Sequence, residues 1–365
     1  MPPTEQAVTG RRPPHATGPG QRTDLLHEPR RTDCPWCGST RLSTRLTTTD
    51  LLQHRSGTFV LDRCDDCAHH FQNPRLTPQG LDFYCRDLHD GLGPAAAERI
   101  LGARHSPRRH RAAADALLRF GEPESWLDVG TGRALFPAVA KEEHPYIAFD
   151  GLDAGAVVEL AVADGHIEEG HRGTLPELAP RLAGRYDALS MFHHLEHTPD
   201  PRAELRAART VLRPGGHLLI ETADPESRCA ALLGRWWVAH LQPQHLHLIP
   251  LRNLHRELED LGYTVIAAER RAAHVPHDLT AALLLALGRC LPAAGAPRSA
   301  VRSSALRRAL RALLPRAAAP AVAAARGIDH LLAPAARRTR FANAYRIIAR
   351  RDPDDASGSG GGGGG

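Results

Sequence analysis

Four cysteines stand in two equally spaced pairs, Cys34-Pro-Trp-Cys37 and Cys64-Asp-Asp-Cys67. Thiolates two residues apart can grip one Zn²⁺ from a tight turn, and two such pairs complete a closed tetrahedral site with no open position for chemistry. The gap between the pairs suits a zinc ribbon, in which two knuckles close a small sheet. A redox reading of the same text lacks a thioredoxin-like context. Cys85, Cys229 and Cys290 are isolated and read as packed thiols.

A second group lies in WLDVGTGRALF (126–136), where a strand-like run, a glycine turn and a helical run follow one another. Gly130 and Gly132 allow a tight turn and close approach of the backbone to a ligand. Asp128, at the strand end, is a carboxylate that can grip a ligand amine. The next strand-like run ends in FDGLD (149–153), where an acid can hold both hydroxyls of a ribose. Asp150 and Asp153 compete for that role.

The third group is histidine-rich. His193, His194, Glu196 and His197 follow the strand-like YDALSMF (186–192), and His245 stands in QPQHLHLIP (242–250). A neutral imidazole near pH 7 can take a proton from an attacking hydroxyl or amine. The same cluster could instead bind a divalent metal, or simply cap the following helix. His193-x-x-Glu196-His197 also spells the inverted zinc-protease pattern, but that pattern needs a helix. The prolines at 199 and 201 leave no room for one.

The elements that must position these groups change character along the chain. Residues 1–30 read as a disordered arm, 31–90 as a cysteine-bearing module, and 352–365 as a disordered Gly/Ser-rich tail. Between them, short apolar runs at 125–129, 146–153, 186–192 and 217–222 alternate with helical stretches such as 108–120 and 203–212. That alternation predicts a parallel sheet in an α/β domain. YTVIAAER (263–270) and NAYRIIAR (343–350) add two strands, with a helical insertion, 272–341, between them.

The ordered text of the glycine loop, FDGLD, YDALSMFHHLEHTPDP (186–201) and VLRPGGHLLIE (211–221) resembles the class I S-adenosylmethionine-dependent methyltransferases. The resemblance implies a Rossmann-like seven-stranded α/β sheet with its last strand antiparallel, over residues 107–351. It implies that Asp128, Gly130, Thr131 and Gly132 hold the methionine end of S-adenosylmethionine and that Asp153, in the G-x-D of that strand end, takes the ribose. Ala134 stands at the family's usual third glycine, a mild departure. Asp164 and the stretch around Gly173 compete for the adenine contact. CPWC followed by CDDCAHHFQNPR (64–75) resembles the zinc-ribbon head of a bacterial subset of these enzymes, many of which act on small molecules of sugar or secondary metabolism.

The reaction so implied is methyl transfer to an oxygen, nitrogen or carbon of a small-molecule acceptor, with His193, His194, His197 and His245 as candidate catalytic groups. Ubiquinone-pathway and small-RNA methyltransferases carry a metal-binding E-x-x-E-H at this place, and His193 stands at its first glutamate. Trp236 and Trp237, in the segment expected to cover the acceptor, either stack on it or pack in the core.

Charge is unevenly distributed. The 365-residue chain has a net charge of +5, yet 269–351 holds sixteen arginines against three acids, a net +13 that leaves the rest at −8. An anionic partner at the insertion (a carrier protein, a membrane surface or RNA) is one expectation, and an RNA-modifying enzyme gripping through ribbon and basic helices is the alternative function. Solvated helices that lid the acceptor site are the plainer reading. The longest apolar run is too short to span a bilayer and no secretory h-region opens the chain, so a cytoplasmic protein is expected.

Overall fold

The computed structural model describes residues 26–85, 106–290 and 304–353. The expected arm and tail therefore lie almost wholly outside the described residues, as do the side chains of Cys85 and Cys290. No described helix is long and apolar enough to cross a membrane.

Two sheets organise the chain. The larger has seven strands: β4 (Ser125–Val129), β5 (Ala148–Asp153), β6 (Gly170–Arg172), β7 (Tyr186–Phe192), β8 (Leu212–Ala223), β10 (Tyr263–Glu269) and β11 (Ala344–Arg351). Their order is β10-β11-β8-β7-β4-β5-β6. The five strands from β8 to β6 are parallel, and β11 runs antiparallel to both its neighbours. This is the α/β sheet expected from the sequence, with its last strand reversed.

Alternation along the strands explains why both faces are covered. Leu127, Leu218 and Ile347 enter one core with Leu205, Ala208 and Leu254 of the helices Pro201–Val211 and Leu251–Asp260. Their neighbours Trp126, Leu219 and Ile348 enter another, with Leu117, Phe136 and Ala140 of Pro107–Leu118 and Leu135–Glu143. Successive side chains of a strand point to opposite faces, so apolar residues at consecutive positions require helices on both sides.

The smaller sheet runs β1 (Leu42–Thr48), β2 (Phe59–Cys64), β3 (His70–Gln72) and β9 (His247–Leu248), all antiparallel. β9 comes from the segment following β8, so the cysteine module does not close on itself. Buried polar bonds reinforce the junction: His69 Nε2 and His247 Nδ1 lie 3.0 Å apart, and Gln72 donates to Gln242 at 2.7 Å. Arg202 stacks over Trp36, 4.6 Å from the ring centre.

Helices Asp278–Cys290 and Ser304–Ala336 form the expected insertion before the last strand. Not all of the segment's charge faces outward. Arg346 is buried on Glu221 at 2.7 Å, beside Arg109 at 2.6 Å, and Arg351 donates to the Leu212 carbonyl.

Candidate functional site

Asp128, the glycine turn, Asp153 and His193 stand at the carboxyl ends of β4, β5 and β7. After Val129 the chain turns through Gly130 at φ +71° and Gly132 at φ +54°, conformations that favour glycine. A Cβ on Gly130 would meet the His194 imidazole at 2.6 Å, whereas Gly132 has open space around it. Ala134 also sits in the left-handed region, at φ +55°, and is fully buried. Alanine there is strained, so its departure from glycine is less mild than the sequence suggests.

Asp128 is buried and accepts a 2.6 Å hydrogen bond from Ser190 Oγ, which in turn accepts from Trp126 Nε1 at 3.0 Å. Burial raises the Asp128 carboxyl to about 6 against the opposing pull of the Ser190 hydroxyl. Sequence reasoning missed Ser190; its one trace is a lone hydroxyl in an apolar strand.

Asp153 ends β5 with its carboxylate beside the loop: Oδ2 accepts from the Gly132 amide at 3.0 Å and Oδ1 from the Gly155 amide at 2.7 Å. Asp150 is turned away and fully engaged, accepting from Tyr186 at 2.6 Å and from the Glu169 amide at 3.0 Å. The geometry favours Asp153 of the two for a ligand. Asp164 pairs with Arg133 at 3.0 Å at the rim, while Gly173 donates its amide to the Asp153 carbonyl.

The four histidines separate. His193 takes φ +51° immediately after β7, and its Nδ1 lies 2.8 Å from Glu196 Oε1. His194 instead faces the glycine loop, with Nε2 3.2 Å from Glu204. His197 and His245 meet with ring centres 4.7 Å apart and planes tilted by 53°, and each donates Nδ1–H to a carbonyl, of Gln244 at 2.9 Å and Ala239 at 2.8 Å. They pin the segment that covers the strand ends.

Glu196 is buried, and its second oxygen accepts from Thr222 at 2.7 Å. Burial alone would raise this carboxyl, but the His193 bond and the charges of His193, His197 and His245 hold it well below the usual range. The following helix is capped by Asp200, which accepts from the Ala203 amide at 3.0 Å; Glu196 and His197 do not cap it. Leu195–His197 forms a single 3₁₀ turn, so the protease pattern has no helix to stand on. Nor do His193, Glu196 and His197 form one of the groups of convergent ligand atoms found among the described residues.

His193 borders a cavity walled by Ala223, Trp237, Val238 and Val275, with Asp278 and Asn343 opposite. Trp237 is fully buried and donates to Asp278 Oδ1 at 2.9 Å, while Asn343 donates to Oδ2 at 2.7 Å. Trp237 thus packs into the wall, and Trp236 packs beside Leu51, Leu52 and Leu285. Burial raises Asp278 to about 6. Val275 and Asp278 belong to the insertion, which therefore builds part of the pocket; no sequence motif marked either residue.

The thiols of Cys34, Cys37, Cys64 and Cys67 lie together, with sulfur–sulfur distances of 3.7 Å (Cys34–Cys67) and 3.6 Å (Cys37–Cys64). A tetrahedron with Zn–S bonds of about 2.3 Å has edges of about 3.8 Å. The donor set and its spacing fit zinc.

Residues 104–268 match the family model of a methyltransferase domain. Similar curated proteins include the ubiquinone biosynthesis O-methyltransferases of Marinobacter nauticus, 35% identical over 33% of this chain and 54% of that protein, and of Acinetobacter baylyi, 31% identical over 33% and 53%. The chain spans about half the length of the curated relatives it matches. Similar solved structures include the [4+2]-cyclase SpnF (18% identity, TM-score 0.43, 68% of this chain and 81% of that one). A SAM-dependent methyltransferase from Archaeoglobus fulgidus is another (18%, TM-score 0.41, 70% and 97%). Likeness at that level says nothing about the reaction. The seven-stranded sheet and the match over 104–268 identify in this chain a domain similar to the methyltransferase domain.

Proposed function

We propose that this protein transfers a methyl group from S-adenosylmethionine to a small-molecule acceptor. The observation that carries the reading is convergence: the glycine turn, Asp128, Asp153 and His193 all stand at the carboxyl ends of adjacent parallel strands. The ends of β4 and β5 offer a cradle in which the space beside the Gly132 Cα is open and two carboxylates would meet a ligand's amine and hydroxyls. When bound there, the cofactor would supply an electrophilic methyl group.

The chain's own residues then have distinct tasks. Asp128 and the loop from Gly130 to Gly132 bind the methionine end, and Asp153 the ribose. Glu196 accepts the Nδ1 proton of His193 and so fixes the tautomer with a lone pair on Nε2, the nitrogen that takes the acceptor's proton. Glu196 is a positioning residue, since both its oxygens are engaged. His194 supports the glycine loop, while His197 and His245 hold the cover. The four cysteines hold a zinc ion that braces the fold.

The O-methyltransferase relatives make a hydroxyl the favoured acceptor. A thermal-shift titration with S-adenosylhomocysteine tests the reading. A saturable rise in melting temperature is expected, because a ligand bound only by the folded state stabilises it. No rise in folded protein overturns it.

A further inference from the structure

The helix Ser304–Ala336 packs on the protein along one side only. Asp329 and Ala333 are buried there, with Ala318, Val322 and Ala325 half-buried, and Asp329 caps the helix Asp278–Cys290 by accepting from the Leu279 and Thr280 amides. The remainder of its described surface divides into two sectors at helical spacing. One is apolar: Leu313, Ala317, Ala324, Ile328, Leu331 and Leu332, with Leu331 78% and Leu313 62% exposed. The other carries exposed Arg316, Arg326 and His330, and exposed Arg337, Arg338 and Arg340 follow just past the helix end. Asp329 is the one acid between residues 304 and 340, and it faces inward.

We propose that this face docks on the surface of an anionic lipid bilayer, independently of the reading as a methyltransferase. Leucine and isoleucine side chains enter the boundary between headgroups and acyl chains while the arginines meet lipid phosphates, the division of labour of an interfacial amphipathic helix. Charge selects this occupant. A second copy docking through the same face would set arginine against arginine, with no acid exposed on that face to meet them. A nucleic acid would satisfy the arginines but leave the leucine stripe in water, with no aromatic on the stripe for bases to stack on.

The test is flotation of the full chain with vesicles of phosphatidylcholine alone or mixed with phosphatidylglycerol. Binding is expected only with the anionic lipid. Arg326→Gln with Arg337→Gln should weaken it by about fivefold per arginine. Leu331→Asp with Leu332→Asp should weaken it at least tenfold, since the buried leucine area is lost. Arg119→Glu, an exposed change elsewhere, should bind like the parent, and unchanged melting temperatures show that the variants fold. Absence of binding to anionic vesicles overturns the proposal. So does binding that ignores the leucine substitutions, which would be general electrostatic adhesion. So does dimerisation abolished by Leu331→Asp in a chain that ignores vesicles, which would make the stripe a self-interface.

Discussion

His193 Nδ1 lies 2.8 Å from Glu196 Oε1, and the left-handed backbone at His193 is what turns the imidazole from the end of β7 toward that buried carboxylate. A strained residue at the end of a parallel strand, held by a group whose other oxygen is anchored by Thr222, is a preorganised arrangement. Glu196→Gln keeps the shape of this contact and removes its charge. The variant should fold and bind S-adenosylhomocysteine like the parent, while its His193 loses its proton at lower pH, as read by NMR of the ring carbons. An unchanged His193 titration would remove Glu196 from the mechanism.

Asp128 gives a pH signature to cofactor binding. Burial raises its carboxyl to about 6, and an ammonium group needs the charged form. Affinity for S-adenosylmethionine should therefore be flat above pH 7 and fall about tenfold per pH unit well below 6. Calorimetry at several pH values checks this, and Asp128→Asn should be weak and lose the limb. Equal affinity at pH 5 and pH 7.5 would show that Asp128 does not meet the amine.

Metal content is a direct consequence of the thiol geometry. Elemental analysis should find about one zinc per chain, lost in Cys64→Ser. Because β9 and His247 are held by the same sheet, metal removal should also loosen the segment around His245, seen as faster amide exchange at 244–248. Folded, zinc-free protein with an unaltered exchange pattern would contradict the assignment.

Acid should destabilise the protein early. Burial lowers His110, His240, His247 and His274 to about 4 each. Unfolded histidine titrates near 6.5, so the unfolded chain takes up these protons first. The stability tied to neutral histidine is intact above about 6.5 and is lost as pH falls toward 4, by at most about 1.4 kcal/mol per group per pH unit. Asp128 and Asp278, raised to about 6, oppose this below pH 6 but are two against four. Urea midpoints should drop between pH 7 and pH 5, less so in His247→Gln; constant midpoints would contradict the burial of these rings.

Local chemistry made the sheet readable in advance. Short apolar runs, the glycine turn at 130–132 and the cysteine pairs each carry their meaning within a few residues. What escaped was assembled from afar. Ser190 reaches Asp128 across 62 residues, Asn343 reaches Asp278 across 65, and β9 pairs with a strand some 175 residues earlier. None of these has a periodicity or spacing of its own. The histidines were found as a cluster, but their separate duties depend on the φ of His193 and on which carbonyl each Nδ1 meets.

The most direct test is calorimetric titration of the full chain with S-adenosylmethionine, in parallel with Asp153→Ala. The account predicts saturable one-to-one binding by the parent and at least tenfold weaker binding by the variant. Absence of binding by folded parent protein, or equal affinity in the variant, would contradict the placement of a cofactor between β4 and β5.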